Sequence, residues 1–163
     1  MLAQVVNKLR LIESVIATLA YAFVAGLLIV DVVGRELFGA TIMGSQQLAV
    51  YGAIIAGFLG LTLATSDNSH LRPGFMDFLF KRFEPKIQQL GDALSASFFF
   101  VSACVAWMFV SVSMDNQDKA PVLYFVVWPL QLVLPYAFIS SGLKHLIFAL
   151  RPELKPAAHQ GGH

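Results

Sequence analysis

The chain has 163 residues, of which 57% are hydrophobic and 13% are charged, and its formal net charge is +1. Its mean hydropathy is +0.70. A soluble domain carries charge on about 25% of its residues. A chain this short has too much surface to hide so many apolar side chains in one water-facing core. The composition excludes an ordinary soluble domain, and the near-neutral charge gives no basis for nucleic-acid binding. An integral membrane protein is expected.

Four apolar segments alternate with polar ones along the chain. They predict helices at about residues 11–35, 46–65, 87–114 and 124–150. Each segment is near the roughly 20 residues that cross about 30 Å of hydrocarbon, and lipid cannot satisfy backbone polar groups, so helices are the expected structure. No internal repeat is present. The pattern predicts one all-α membrane domain over residues 1–155, followed by a polar, disordered tail over 156–163.

The first apolar segment has some features of a secretory signal. Lys8 and Arg10 precede it, and Ala20-Tyr21-Ala22 imitates a cleavage site. The apolar run continues to Val33, however, which is long enough to cross a bilayer. We therefore expect a retained signal-anchor helix.

Basic residues are divided unevenly between the two sides of the predicted bundle. Nine lie near the N-terminus, in the second loop or at the C-terminal end: Lys8, Arg10, Arg72, Lys81, Arg82, Lys86, Lys144, Arg151 and Lys155. The other side has only Arg35 and Lys119. Because Lys and Arg concentrate in cytoplasmic flanks, both termini are predicted to be cytoplasmic.

The polar segment between the second and third helices has a helical pattern of its own. Phe75, Leu79, Phe83 and Ile87 recur at every fourth position, with charged residues between them. This pattern predicts an amphipathic helix over about residues 73–86 that lies in the cytoplasmic membrane interface and contacts lipid. The alternative is a connector that packs on another subunit.

Two further features have both a structural and a functional interpretation. Asp31 and Arg35 lie one helical turn apart near the outer end of the first helix, so they form either a structural ion pair or an ion or proton site at Asp31. The second helix carries a four-residue stripe of small side chains, which allows close packing within the bundle or on a larger partner. The stripe consists of Gly52, Ala56, Gly60 and Ala64.

The remaining chemistry-bearing residues indicate neither an enzyme nor a cofactor-binding protein. Cys104 lies in an apolar run, where a small buried side chain is expected. His70 and His145 have no further ligands at metal-binding spacing. Pro129 and Pro135 are expected to kink the fourth helix.

Several short motifs follow one another in a fixed order on the four predicted spans. They are Asp31 to Phe38 (DVVGRELF), Gly44 to Leu48 (GSQQL), Phe58 to Gly60 (FLG), His70 to Arg72 (HLR), and Leu134-Pro135. In this order the chain resembles, over nearly its whole length, the small membrane subunit of tripartite ATP-independent periplasmic (TRAP) transporters, the DctQ family.

The resemblance implies an accessory subunit in a bacterial inner membrane. A periplasmic binding protein would deliver an organic acid, of the dicarboxylate or sialic acid type, and a large multispanning subunit would carry it with a sodium gradient. No cofactor is expected on this chain, and sodium is expected on the partner subunit. Residues of the outer loops are candidates for contacting the binding protein or are ordinary solvated charges: Arg35, Glu36, Asp115, Asp118 and Lys119.

Two other classes of protein compete with this interpretation. A four-helix, proton-coupled small transporter acting as a dimer would need a membrane-embedded acid, for which Asp31 is the best candidate. A membrane redox enzyme would need paired histidines or several cysteines, and the chain has one cysteine.

Overall fold

The computed structural model describes residues 2–39, 43–66 and 84–154, and the side chains of 7–39, 43–66 and 89–153. These residues form a series of helices in chain order. They are α1 (Leu2–Phe38), α2 (Ser45–Ser66), α3 (Glu84–Asp115), α4 (Trp128–Gln131), α5 (Val133–Leu150) and a final 3₁₀ turn, Pro152–Leu154.

Four helical segments in the described ranges are long and apolar enough to cross a membrane. They are Asn7–Phe38, Ser45–Ser66, Gln89–Asp115 and Trp128–Leu150, the last of which joins α4 and α5. The described ranges contain no β-strand, only an isolated antiparallel bridge between Lys119 and Val126. The predicted all-α fold with four spans is confirmed.

The ends of the helices differ from the sequence-based bounds where hydrophobicity is a poor guide. α1 begins at Leu2, well before the apolar run, and α3 begins at Glu84. Pro85 fits the second position of α3, because the first turn of a helix does not need that N–H group. The fourth span begins at Trp128 rather than near residue 124, because the preceding residues form a hairpin.

The predicted interfacial helix falls almost entirely on residues 67–83, outside the described part of the chain. Phe75, Leu79 and Phe83 lie there, whereas Ile87 falls within α3. The interfacial location therefore stays a prediction.

The spans pack in the order α1, α2, α5, α3, since the main contacts join α1 to α2, α2 to α5, and α5 to α3. In the apolar 18-residue stretch of each span, 11% of the residues are buried in α1 and 44% are buried in the fourth span. α1 and α3 therefore form the edges, where their large apolar side chains face outward as lipid-facing surfaces do. Cys104 of α3 is exposed on this surface, so the expected buried position was wrong.

The fourth span is interrupted at Leu132, between α4 and α5. Pro129 lies at the start of α4 and Pro135 in the first turn of α5, where a missing N–H group costs little. The Tyr136 N–H donates to the Leu132 carbonyl at 3.2 Å, so the helical bonding resumes directly after the break. Leu132 keeps helical backbone angles, with φ of −58° and ψ of −19°, so Trp128–Leu150 stays one span with a local irregularity near its prolines.

Gly52 lies where α1 and α2 approach each other closely. A Cβ atom at this position would lie 2.6 Å from Cγ2 of Val24 and 3.6 Å from the Phe23 ring. Ala56, one turn further along, is buried completely. A Cβ atom at Gly60 would meet nothing within 4 Å, so this part of the small-residue stripe is open.

We expect Gly52→Ala to destabilise the protein by about 1–3 kcal/mol, because Val24 is β-branched and α1 must shift to admit the methyl group. Gly57→Ala is the matched control on the same helix, since a Cβ atom there meets nothing within 4 Å. Both changes gain the same helix propensity, up to about 1 kcal/mol, so their difference isolates the clash. Unfolding in detergent, followed by circular dichroism, measures it. Equal effects of the two variants would contradict the close approach.

Candidate functional site: buried interhelical ion pairs

Glu13 of α1 is completely buried, although it lies at the start of an apolar run. Its Oε2 atom accepts a hydrogen bond from Nζ of Lys144 at 2.6 Å. Its Oε1 atom accepts from the hydroxyl groups of Ser140 at 2.7 Å and Tyr136 at 3.2 Å. The three donors share one face of α5, since they lie four residues apart. Glu13 therefore joins the first span to the last.

Lys144 is equally well enclosed, with only 1% of its surface exposed. Besides Glu13, its ammonium group donates to the Thr62 carbonyl of α2 at 2.9 Å. An isolated charge in hydrocarbon costs several kcal/mol, whereas a paired and hydrogen-bonded one is tolerated. The cluster of Glu13, Lys144 and Thr62 thus holds α1, α2 and α5 together at one level of the membrane.

A second buried pair, of a histidine and a carboxylate, lies beside the first. Nδ1 of His145 is 3.1 Å from Oδ1 of Asp92 on α3, and both residues are buried. The imidazole ring stacks on Phe99 of α3, with centroids 5.5 Å apart and planes at 13°. Phe148 contacts the same ring edge-on. This pair links α3 to α5.

Lys144 and His145 are neighbours in sequence, so they leave α5 in directions about 100° apart. One reaches α1 and α2, and the other reaches α3. The two pairs lie where α1 begins and α5 ends, which we call the terminus end of the bundle. α5 is consequently the helix to which every other span is fastened there.

Asp31 lies near the opposite end, which we call the loop end, where α1 ends and α2 begins. Its Oδ2 atom accepts from Nη2 of Arg35 at 2.8 Å, and its Oδ1 atom accepts from the Ser45 hydroxyl at 2.9 Å. Asp31 is buried, whereas about half of the Arg35 side chain is exposed. The carboxylate sits beside the first residue of α2, where the helix dipole favours a negative charge. Its geometry is that of a structural tie between α1 and α2.

The candidate contacts for a binding protein are all at the loop end and all exposed. They are Arg35, Glu36, Asp115, Asp118 and Lys119. Within the described residues, no three His, Cys, Asp or Glu side chains come together as a metal site would require.

Sequence reasoning missed both buried pairs at the terminus end, Glu13–Lys144 and Asp92–His145. Lys144 was counted among the basic flanks, but it is buried and neutralised by Glu13, which leaves eight flanking basic residues against two. The available signal was the polar series Tyr136, Ser140 and Lys144 at four-residue spacing on one face of an apolar helix. Asp92 and His145 gave no comparable pattern.

These features define a multi-pass α-helical membrane protein whose buried charges serve to join its own helices. The family profile of the "Tripartite ATP-independent periplasmic transporters, DctQ component" matches residues 12–152. The chain belongs to the DctQ family, the small membrane component of these transporters. Neither the curated proteins nor the solved structures gave a match.

We expect Lys144→Met to lower the free energy of unfolding by about 3–5 kcal/mol, because Glu13 is left as an unpaired buried charge. Adding Glu13→Gln should recover part of that loss. Lys119→Met, which removes an exposed ammonium group, is the matched control and should change stability by less than about 0.5 kcal/mol. Denaturant titration in detergent of Lys144→Met, Glu13→Gln and the double variant measures the coupling energy between Glu13 and Lys144. Additive effects would argue against the pair.

Proposed function

We propose that this chain is the small accessory membrane subunit of a binding-protein-dependent secondary transporter, in which a separate large subunit carries the solute. The family match over residues 12–152 is the observation that carries the proposal. The ion pairs support it, because Glu13 and Asp31 are each held by hydrogen bonds that join helices.

In this proposal the solute is an organic acid of the dicarboxylate or sialic acid type, and transport is driven by sodium bound to the large subunit. The chain lies in a bacterial inner membrane with both termini cytoplasmic, so the loop end faces the periplasmic binding protein. The remaining eight-to-two distribution of flanking basic residues supports this orientation. In the same proposal, the amphipathic segment over residues 73–86 lies in the cytoplasmic membrane interface and supports the complex from that side.

An autonomous proton-coupled transporter would need an acid that can bind and release protons from the aqueous phase. The carboxylate of Glu13 accepts hydrogen bonds from Lys144, Ser140 and Tyr136, and that of Asp31 accepts them from Arg35 and Ser45. This geometry favours the accessory role for both residues.

Purification in mild detergent from the native membrane should recover this chain with an equal amount of a large multispanning protein. Mass spectrometry of the complex identifies that protein. The chain alone in proteoliposomes should give no gradient-driven uptake of organic acids, because its buried acids are structural. Uptake by the chain without a partner, or recovery of the chain only with itself, would refute the accessory role.

The variant Asp31→Asn tests whether Asp31 at the loop end is a structural residue or a site that couples ion or proton movement to transport. We expect it to destabilise the protein by about 1–3 kcal/mol, since Arg35 loses its charged partner beside α2. Assembled complex that carries the variant should keep most of its solute uptake. Glu36→Gln, an exposed acid at the same end, is the matched control for the stability measurement. Loss of uptake from a fully assembled Asp31→Asn complex would instead identify Asp31 as a coupling site.

A further inference from the structure

The connection between α3 and α4 is a closed hairpin over residues 118–127, which we call the loop-end hairpin. Its base is fastened by hydrogen bonds from Val127 N–H to the Asp118 carbonyl, at 3.0 Å, and from Ala120 N–H to the Phe125 carbonyl, at 2.8 Å. Tyr124 N–H donates to the Ala120 carbonyl at 2.9 Å. These bonds hold the tip in one conformation, so it is presented as a preformed surface.

The tip of this hairpin is costly to form. Val122 and Tyr124 have φ angles of +67° and +54°. Residues other than glycine rarely adopt such angles, and β-branched residues such as valine do so least of all. Strained residues of this kind persist where the surrounding structure fixes them, and they cluster at functional sites. Here they turn apolar side chains outward: Val122 is 43% exposed and Tyr124 is 77% exposed.

The hairpin is seated on the start of α2. Leu123 packs so closely over Gly44 that a Cβ atom there would lie 2.5 Å from its side chain, and Gly44 has a φ of +86°. Phe125 makes an edge-on ring contact with Tyr51 of α2. The tip is therefore fixed relative to the α1–α2 junction.

A cleft of about 240 Å³ opens between the hairpin and the α1–α2 junction. Val122 and Met43 provide its apolar wall, and Met43 is 81% exposed. The other lining residues are Asp31, Gly44, Ser45, Gln46 and Gln47. A lipid chain would cover the amide groups of Gln46 and Gln47 without offering them hydrogen bonds, whereas Tyr and Met beside a polar rim are typical of the centre of a protein interface.

The exposed charges of the loop end indicate which kind of partner would bind there. The charge of Arg35 is balanced by its partner Asp31. The other exposed charges of the loop end are acidic at Glu36, Asp115 and Asp118 and basic at Lys119. This excess of acidic groups favours a protein whose own contact surface is basic, because complementary potentials speed association and exclude wrong partners.

We propose that the loop-end hairpin and its cleft form the docking surface for the soluble binding protein, which inserts an apolar side chain ringed by basic ones. This inference rests on the proposed function. The contact is centred on Val122, Tyr124 and Met43, and the charged residues of the loop end form its rim.

The test uses the intact complex with the large subunit, reconstituted in lipid nanodiscs and in proteoliposomes. Val122→Asn with Tyr124→Asn removes the apolar tip while keeping the backbone, since Asn tolerates a positive φ better than other side chains do. Gln117→Asn is the matched control, because Gln117 is an exposed residue with a φ of +52° in the same connection. The probe is the purified binding protein that supports uptake by the complex.

We expect the double variant to raise the concentration of binding protein that gives half-maximal uptake about tenfold, as the loss of a central interface contact does. The control should leave that concentration unchanged, and both variants should co-purify with the large subunit. An unchanged concentration in the double variant would overturn the inference. So would loss of the large subunit, or of lipid association, in the double variant alone. Failure of the proposed function is a separate result, in which the unaltered chain recovers no large subunit.

Discussion

The rest of the structure depends on one constraint: an ionised side chain within hydrocarbon must be neutralised and hydrogen-bonded where it lies. Glu13 and Lys144 satisfy it together, with Ser140, Tyr136 and the Thr62 carbonyl completing the hydrogen bonds. Apolar contacts in lipid do not fix which helix faces which, because lipid tails are as apolar as leucine. The buried pair does, since a rotation of α1 or α5 would separate the two charges.

This constraint also explains the open arrangement of the bundle. With α5 fastened to α1 and α2 through Lys144 and to α3 through His145, the outer faces of α1 and α3 need no further protein contact for their own stability. Both helices accordingly present long rows of large apolar side chains outward. Such edges fit the proposed position beside a larger membrane protein, because lipid or a neighbouring helix covers them equally well.

The sequence predicts the spans well and their pairing poorly, for a physical reason. Span number and position follow from the length of apolar runs, which the bilayer fixes. Glu13 and Lys144 are 131 residues apart, and no local pattern states that their faces meet. The Asp31–Arg35 pair lies within one helical turn, where spacing alone suffices, yet its link to Ser45 was equally hidden. The predicted fourth helix begins near residue 124 rather than at Trp128, because a tyrosine at position 124 does not signal a positive φ.

The two ends of the bundle are built for different tasks. At the terminus end, Glu13, Lys144, Asp92 and His145 are buried and fix the helices to one another, while Lys8, Arg10 and Arg151 stay exposed. At the loop end, Asp31 is buried and joins α1 to α2, while Glu36, Asp115, Asp118 and Lys119 and the tip of the hairpin are exposed. A rigid base with an exposed, strained tip loses little conformational entropy when a partner binds, because the surface is already formed. This difference between the two ends is what the proposed docking at the loop end requires.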